Sequence, residues 1–237
     1  MNKKIIVAID LSNLNKSLKL VNKIKKEVFA FKLGHEFFYN FGIDGYKKIY
    51  NICPKIFLDL KLHDIPNTVE KGLKAICKLK PIFTTIHISG GDAMLEASNI
   101  KTNKRTKILG VTVLTSLNHQ QTLKYYKENN VNRLVKKYAR YAKQNNITGL
   151  ICSPLEIGVI RKEVGKEMII VVPGIRPEKE NFNNRDDQKR VLTPKEAIKL
   201  GADYLVIGRP ITESKNPLAT IKKINNCRDL VESKIKS

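Results

Sequence analysis

Short apolar, β-branched runs recur along the whole chain and alternate with amphipathic segments, a pattern typical of parallel β/α units. The eight predicted strands cover residues 5–9, 29–33, 56–60, 84–88, 108–113, 149–152, 168–172 and 204–207. Eight such units in 237 residues predict the α/β class and one (β/α)8 TIM barrel over residues 1–237. No repeat, linker or low-complexity stretch indicates a second domain. An active site is expected at the carboxyl ends of the strands.

Helical signals fill the gaps between the predicted strands. Residues 15–24, 69–76 and 131–139 place apolar side chains at helical spacing. Asn67 or Thr68 is predicted to cap the helix that follows the third strand. Before the eighth strand, Thr193 and Glu196 form a capping-box pattern with a proline between them, and Gly201 can close that helix.

The chain is strongly basic, with 44 Lys and Arg against 22 Asp and Glu and a net charge of +22. Such a charge raises the question of nucleic-acid binding. However, the lysines are spread over every predicted helix, aromatic residues make up only 7%, and tryptophan is absent. We therefore predict no nucleic-acid partner, although the positive field can attract small anions.

The sequence also bears on membranes, metals and disulfides. No apolar run reaches the roughly 20 residues that span a bilayer, and the apolar start meets Asp10 at once, which indicates a strand and a cytoplasmic protein. The cysteines and histidines show no metal-ligand or disulfide-framework spacing. These residues are Cys53, Cys77, Cys152, Cys227, His35, His63, His87 and His119. We predict free, mostly buried thiols and no metal site.

The third predicted strand carries two charges toward its carboxyl end. By strand alternation Phe57, Asp59 and Lys61 share one face, and leucines occupy the other. A surface ion pair on an edge strand is the simpler interpretation. The apolar residues around the pair instead predict a central strand, where charges without a function would be costly.

The other predicted strands also end in polar or glycine-rich sequence. These ends contain Asp10, Lys32, His87, Thr115, Ser116, Ser153, Gly174, Arg176, Gly208 and Arg209. The loops after strands seven and eight often bind phosphate in such barrels. Gly208 would allow close backbone approach, and Arg209 could meet phosphate oxygens as a fork. The long polar loop over residues 177–190 predicts a lid, so we expect a phosphorylated ligand.

Residues 59–68 (DLKLHDIPNT) closely resemble the signature of the orotidine 5'-phosphate decarboxylase family, in its short bacterial type. Further matching segments follow in the family's order along nearly the whole chain. They are residues 7–10 (VAID), 32–34 (KLG), 115–116 (TS), 173–176 (PGIR), 187–190 (DQKR) and 208–210 (GRP). The resemblance implies decarboxylation of orotidine 5'-phosphate to uridine 5'-phosphate, the last step of pyrimidine nucleotide synthesis, without metal or cofactor.

The resemblance also implies the roles of individual residues. Lys61 would protonate C6 of the pyrimidine, within a catalytic charge network of Lys32, Asp59, Lys61 and Asp64. The substrate-binding set would be Asp10 and Lys32 at the ribose, Asp59 at the reacting carboxylate, Thr115 and Ser116 near the base, and Arg176, Gln188, Gly208 and Arg209 at the phosphate. The protein would be a homodimer in which Asp64, Ile65 and Thr68 complete the partner's site.

Three alternatives remain open from the residues alone. Metal-dependent sugar-phosphate decarboxylases or aldolases of the same barrel superfamily hold magnesium partly with an acid at the second-strand end, where this chain has Lys32. A Schiff-base aldolase needs a neutral lysine, whereas the carboxylates beside Lys61 favour its charged form. A basic binding protein would show strongly salt-dependent DNA binding without decarboxylation.

Overall fold

The computed structural model describes residues 3–100, 105–176 and 192–235, with side chains as far as residue 226. Eight parallel strands form a closed barrel in sequence order, and β1 pairs with both β2 and β8. The strands are β1 (Ile5–Ala8), β2 (Ala30–Leu33), β3 (Ile56–Leu62), β4 (Phe83–His87), β5 (Lys107–Val111), β6 (Gly149–Ile151), β7 (Ile169–Val172) and β8 (Tyr204–Ile207). The predicted barrel is confirmed, with strand ends within two residues of the expected positions.

Helices connect the strands and surround the barrel. They are α1 (Leu14–Ile24), α2 (His35–Ile52), α3 (Pro66–Lys78), α4 (Asp92–Ala97), α5 (His119–Tyr126), α6 (Val131–Gln144), α7 (Ile157–Val164), α8 (Pro194–Lys199), α9 (Arg209–Thr212) and α10 (Pro217–Ile235). Gly42, with a φ of 55°, kinks α2 in its middle. The three helices expected from periodicity are confirmed, and all of them extend beyond the predicted segments.

Two capping predictions have different outcomes. The Thr193 hydroxyl accepts a hydrogen bond from the Glu196 amide, and the Glu196 carboxylate accepts one from the Thr193 amide, so that capping box is confirmed. The cap expected at Asn67 or Thr68 is wrong, because α3 begins at Pro66 with Ile65 as its N-cap. Proline suits the first helical position, since its φ is preset and its missing N–H would have no partner there.

The apolar core has two layers. The outer layer lies between the barrel and its helices and contains most of the buried aliphatic residues. The inner layer lies inside the barrel. Toward the amino-terminal ends of the strands, Phe29 stacks on Tyr204 at 4.2 Å and Phe57 meets Phe83 edge to face at 5.9 Å. These aromatic rings close the amino-terminal end of the barrel.

The cysteines and the helices bear on two further predictions. Cys53, Cys77 and Cys152 take part in no disulfide, and Cys77 and Cys152 are buried. The side chain of Cys227 lies outside the described residues. No helix in the described part of the chain is long and apolar enough to cross a bilayer.

Gly149 in β6 gives a test of barrel packing. A Cβ added there would lie 2.5 Å from the Ile169 carbonyl oxygen and 2.7 Å from the Ile169 Cβ. Since rigid atoms would have to move, we expect Gly149→Ala to lower the free energy of unfolding by about 1–3 kcal/mol in urea titrations. In the control Gly158→Ala, the nearest atom lies at 3.8 Å, and the helix should gain about 0.5–1 kcal/mol. Equal stability of the two variants would contradict this account of the barrel.

Candidate active site

An irregularity in β3 shapes the site. Leu58 pairs with Thr84 and the next pair is Leu62 with Ile86, so β3 advances four residues while β4 advances two. Within this bulge Lys61 has a φ of 47°, in the left-handed region that non-glycine residues seldom occupy. The bulge nevertheless keeps both Asp59 and Lys61 on the wall of the same cavity.

Four side chains from the first three strand ends form a chain of alternating charges. Lys61 Nζ lies 2.8 Å from Asp59 Oδ2, and Lys32 Nζ lies 3.7 Å from the same oxygen. Lys32 Nζ also lies 3.3 Å from Asp10 Oδ1. Each charge thus has an opposite charge beside it, as a partly buried network requires.

Asp59 is the buried centre of this network, with only 7% of its surface exposed. Burial acts to raise the pKa of its carboxyl, but Lys32 and Lys61, with hydrogen bonds from Lys61 and Thr85, outweigh burial and hold the pKa below its usual value. The Thr85 hydroxyl donates to Asp59 Oδ1 at 2.9 Å. Asp59 is therefore charged at neutral pH.

Histidines lie against β3 and β4 beside the network. The His63 and His87 rings are 5.2 Å apart, and His35 Nε2 donates to the Leu60 carbonyl at 3.0 Å. Burial, then His63 and Lys61, lowers the pKa of His87 to about 4, so its ring is neutral at physiological pH. Among the described residues no group of three acidic, histidine or cysteine side chains could hold a metal.

A cavity of about 330 Å³ opens at the carboxyl end of the barrel, within the range of small-molecule sites. Its wall contains eight of the predicted residues: Asp10, Lys32, Asp59, Lys61, Thr115, Arg176, Gly208 and Arg209. It also contains Phe57, which alternation placed on the face of Asp59 and Lys61, and residues that sequence reasoning did not select, among them Leu11, Val111, Val113, Ile151, Cys152, Val206 and Glu213. Inward alternation along the strands was the signal that could have found the apolar ones.

The ends of β7 and β8 build one side of the cavity. Gly174 has a φ of 74°, and Arg176 follows it, with its amide bonded to the Leu192 carbonyl at 3.1 Å. Gly208 precedes the short helix α9, which begins at Arg209. Two guanidinium groups and a helix start therefore lie on the same wall, an arrangement suited to phosphate. The predicted lid over residues 177–190, including Gln188, lies outside the described residues.

Four predicted residues do not line the cavity of this chain: Asp64, Ile65, Thr68 and Ser116. All four are exposed, and Ile65 has 67% of its surface accessible. Asp64 Oδ1 accepts a hydrogen bond from the Ile65 amide at 2.7 Å, within its own loop. A single chain thus brings together the charges from β1 to β3, but the exposed residues of the loop after β3 do not line its own cavity.

Comparison with known proteins agrees with this geometry. The sequence model of the Orotidine 5'-phosphate decarboxylase / HUMPS family matches residues 3–224. A Wolbachia pipientis (subsp. Culex pipiens, strain wPip) protein named orotidine 5'-phosphate decarboxylase is 44% identical over 221 residues, 93% of this chain and 96% of the relative. One so named from Carboxydothermus hydrogenoformans is 42% identical over 224 residues, 91% of this chain and 92% of the relative.

The fold gives the same result. The crystal structure of orotidine 5'-phosphate decarboxylase from Lactobacillus acidophilus matches with a TM-score of 0.77 and 37% identity, over 96% of this chain and 99% of that one. The family model, which matches residues 3–224, spans every barrel strand and includes the segment that carries Asp59 and Lys61. The chain therefore belongs to the orotidine 5'-phosphate decarboxylase / HUMPS family.

Proposed function

We propose that this chain is a carboxy-lyase that converts orotidine 5'-phosphate into uridine 5'-phosphate and carbon dioxide, with residues 1–237 as a single catalytic domain and without metal or cofactor. The observation that carries the proposal is the alternating network of Asp10, Lys32, Asp59 and Lys61 at the mouth of the barrel. The names of the relatives support the same reaction.

Lys61 is the proton donor in this proposal. Heterolysis of the bond between C6 and the carboxylate releases carbon dioxide and leaves the electron pair on C6. The Lys61 ammonium then gives a proton to C6, and the lysine recovers a proton from solvent. Because the ammonium is positive before it donates, it also stabilises the negative charge that develops on C6.

Asp59 destabilises the bound substrate before carbon dioxide leaves. Its carboxylate is charged and buried, on the cavity wall beside Lys61. Two like charges 4 Å apart cost about 4 kcal/mol at an effective dielectric of 20, and this repulsion disappears as the substrate carboxylate leaves. Such strain raises the rate only if contacts elsewhere hold the substrate in place.

Those contacts are assigned to the rest of the cavity wall. Asp10 and Lys32 bind the ribose hydroxyls, and Thr115, with Ser116 beside it, contacts the base. The phosphate is held by Arg176, Gln188, Gly208 and Arg209, since guanidinium groups bind phosphate oxygens in pairs and backbone N–H groups complete the shell.

The metal-dependent relatives and the Schiff-base aldolases fit this site less well. Lys32, at the end of β2, cannot ligate magnesium as a carboxylate can. Lys61 Nζ lies 2.8 Å from the buried Asp59 carboxylate, which favours the ammonium over the neutral amine that a nucleophile needs. The decarboxylase is therefore the only function that we propose.

A homodimer in the cytoplasm completes the proposal. Asp64, Ile65 and Thr68 are exposed and lie outside their own cavity, which suits residues that reach the partner's site. The absence of disulfides at Cys53, Cys77 and Cys152 suits a reducing compartment.

Replacing Lys61 tests the chemistry. We expect Lys61→Ala to lower kcat by at least ~10²–10⁴-fold, the usual contribution of a positioned general acid, with an unchanged fold by circular dichroism. The assay follows the ultraviolet absorbance of orotidine 5'-phosphate. The control Lys74→Ala breaks only a surface ion pair with Glu70 and should retain full activity. Full activity of Lys61→Ala would remove Lys61 from the mechanism, and a loss with chelator that magnesium reverses would favour the metal-dependent relatives.

Gly34 tests the place of Lys32. A Cβ at this position would lie 2.9 Å from Lys32 Nζ and 3.2 Å from Asp10 Oδ1. Because the end of a lysine moves easily, Gly34→Ala should cost little stability but displace the ammonium. We expect kcat/KM of Gly34→Ala to fall about tenfold, equivalent to about 1.4 kcal/mol. The control Gly158→Ala should keep the kcat/KM of the wild type. Wild-type kcat/KM in Gly34→Ala would show that the position of Lys32 is unimportant.

Subunit exchange tests the shared site. Lys61→Ala and Asp64→Ala dimers should each be inactive, but a mixed dimer has one site with both lesions and one with neither. Random reassortment makes half the dimers mixed, so activity should recover to roughly a quarter of wild type. No recovery in a mixture shown by mass spectrometry to have exchanged subunits would assign Asp64 to its own chain's site.

A further inference from the structure

Thr85 lies in the middle of β4, with its side chain directed into the barrel. Phe83, Thr85 and His87 share one face of this strand, and Thr85 is fully buried. It does not line the cavity but lies behind Asp59, to which it is hydrogen-bonded. Thr85 therefore cannot touch a ligand in that cavity, and any influence on the reaction must pass through its neighbours.

The two hydrogen bonds of the Thr85 hydroxyl have fixed directions. The Lys61 amide can only donate, so Thr85 Oγ1 accepts from it, at 2.9 Å. The single hydroxyl proton is then donated to Asp59 Oδ1, also at 2.9 Å. Because Oδ2 faces Lys61 and Lys32, the two oxygens of the carboxylate have different partners. The hydroxyl thus fixes the plane of the Asp59 carboxylate.

The same hydroxyl holds the bulge in β3. Thr85 lies between the paired residues Thr84 and Ile86, where β3 carries its two additional residues. In a regular ladder the Lys61 amide would donate to a carbonyl of β4, but here it donates to a side chain. The positive φ of Lys61 is a strained state that needs such support from its surroundings.

We infer that Thr85 is a positioning residue for the decarboxylation: one buried hydroxyl sets both the carboxylate of Asp59 and the backbone of Lys61 relative to the substrate. The inference rests on the proposed function, because it concerns the geometry of the two groups that act on the reacting carboxylate and on C6. Thr85 itself takes no part in proton transfer.

Thr85→Val keeps the branched shape and removes both hydrogen bonds. We expect kcat to fall about 10- to 100-fold while KM stays within about twofold, because Thr85 makes no contact in the cavity. The acid limb of the pH profile of kcat/KM should move to higher pH, since the charged Asp59 loses a donor. Thr85→Ser keeps the hydroxyl and should restore both kcat and the acid limb.

The adjacent Thr84 provides a matched control. It is equally buried on the same strand, but its hydroxyl has no hydrogen-bond partner among the described residues. Thr84→Val should therefore keep wild-type kcat, KM and pH profile, with stability equal to or above that of wild type.

The outcomes separate this inference from the proposed function. Turnover of orotidine 5'-phosphate by the unaltered protein is measured first. If there is no turnover, the proposed function is rejected but the positioning role of Thr85 is not. In that case crystal structures test the positioning, and unchanged positions of Asp59 and Lys61 in Thr85→Val would overturn it. If the protein is active, the inference fails when Thr85→Val has the same kcat and pH profile as Thr84→Val. It also fails when kcat of Thr85→Ser falls as much as kcat of Thr85→Val. Thr85→Ala replaces the valine variant if valine prevents folding.

Discussion

A buried negative charge on Asp59 is the condition on which the rest of the site depends. A carboxylate with so little exposed surface is stable only if cations and donors offset its lost hydration. Those groups come from adjacent strands: Lys32 from β2, Lys61 from β3 itself and Thr85 from β4. The parallel register pairs Lys32 with Phe57, so a slip of one residue would turn Lys32 out of the cavity. The strand register that closes the barrel therefore also places the charged groups that stabilise the Asp59 carboxylate.

The cavity wall divides into regions of different chemistry. The ends of β1 to β3 carry the alternating charges, and the ends of β7 and β8 carry glycines and arginines. Between them the wall is apolar, with Val111 from β5 and Ile151 from β6. A flat ring with a carboxylate near the charged strand ends and a phosphate near the arginines would match this arrangement, and the proposed substrate has both groups.

The parts of this structure that sequence predicts are those with a periodic signal. Strand alternation placed Asp59 and Lys61 on one face, and the barrel rule brought Asp10, Lys32 and Arg209 to the same end. The sequence pattern of β3 does not reveal the bulge, because leucines continue to alternate with other residues through the bulged segment. Thr85 escapes notice for a similar reason, since threonine is a common strand residue. The cap expected after β3 was wrong because Pro66 started the helix earlier. The part played by Asp64, Ile65 and Thr68 stays a prediction, since it concerns a second subunit.

The left-handed backbone at Lys61 has an evolutionary consequence. Glycine would adopt this φ freely, whereas a residue with a Cβ loses roughly 1 kcal/mol or more in this conformation. Local preference and chemistry therefore favour different residues at this position, and selection for folding alone would tend to remove the lysine. Position 61 is thus a point of stability–activity trade-off, where the chain keeps a less stable backbone in order to hold an ammonium group beside Asp59.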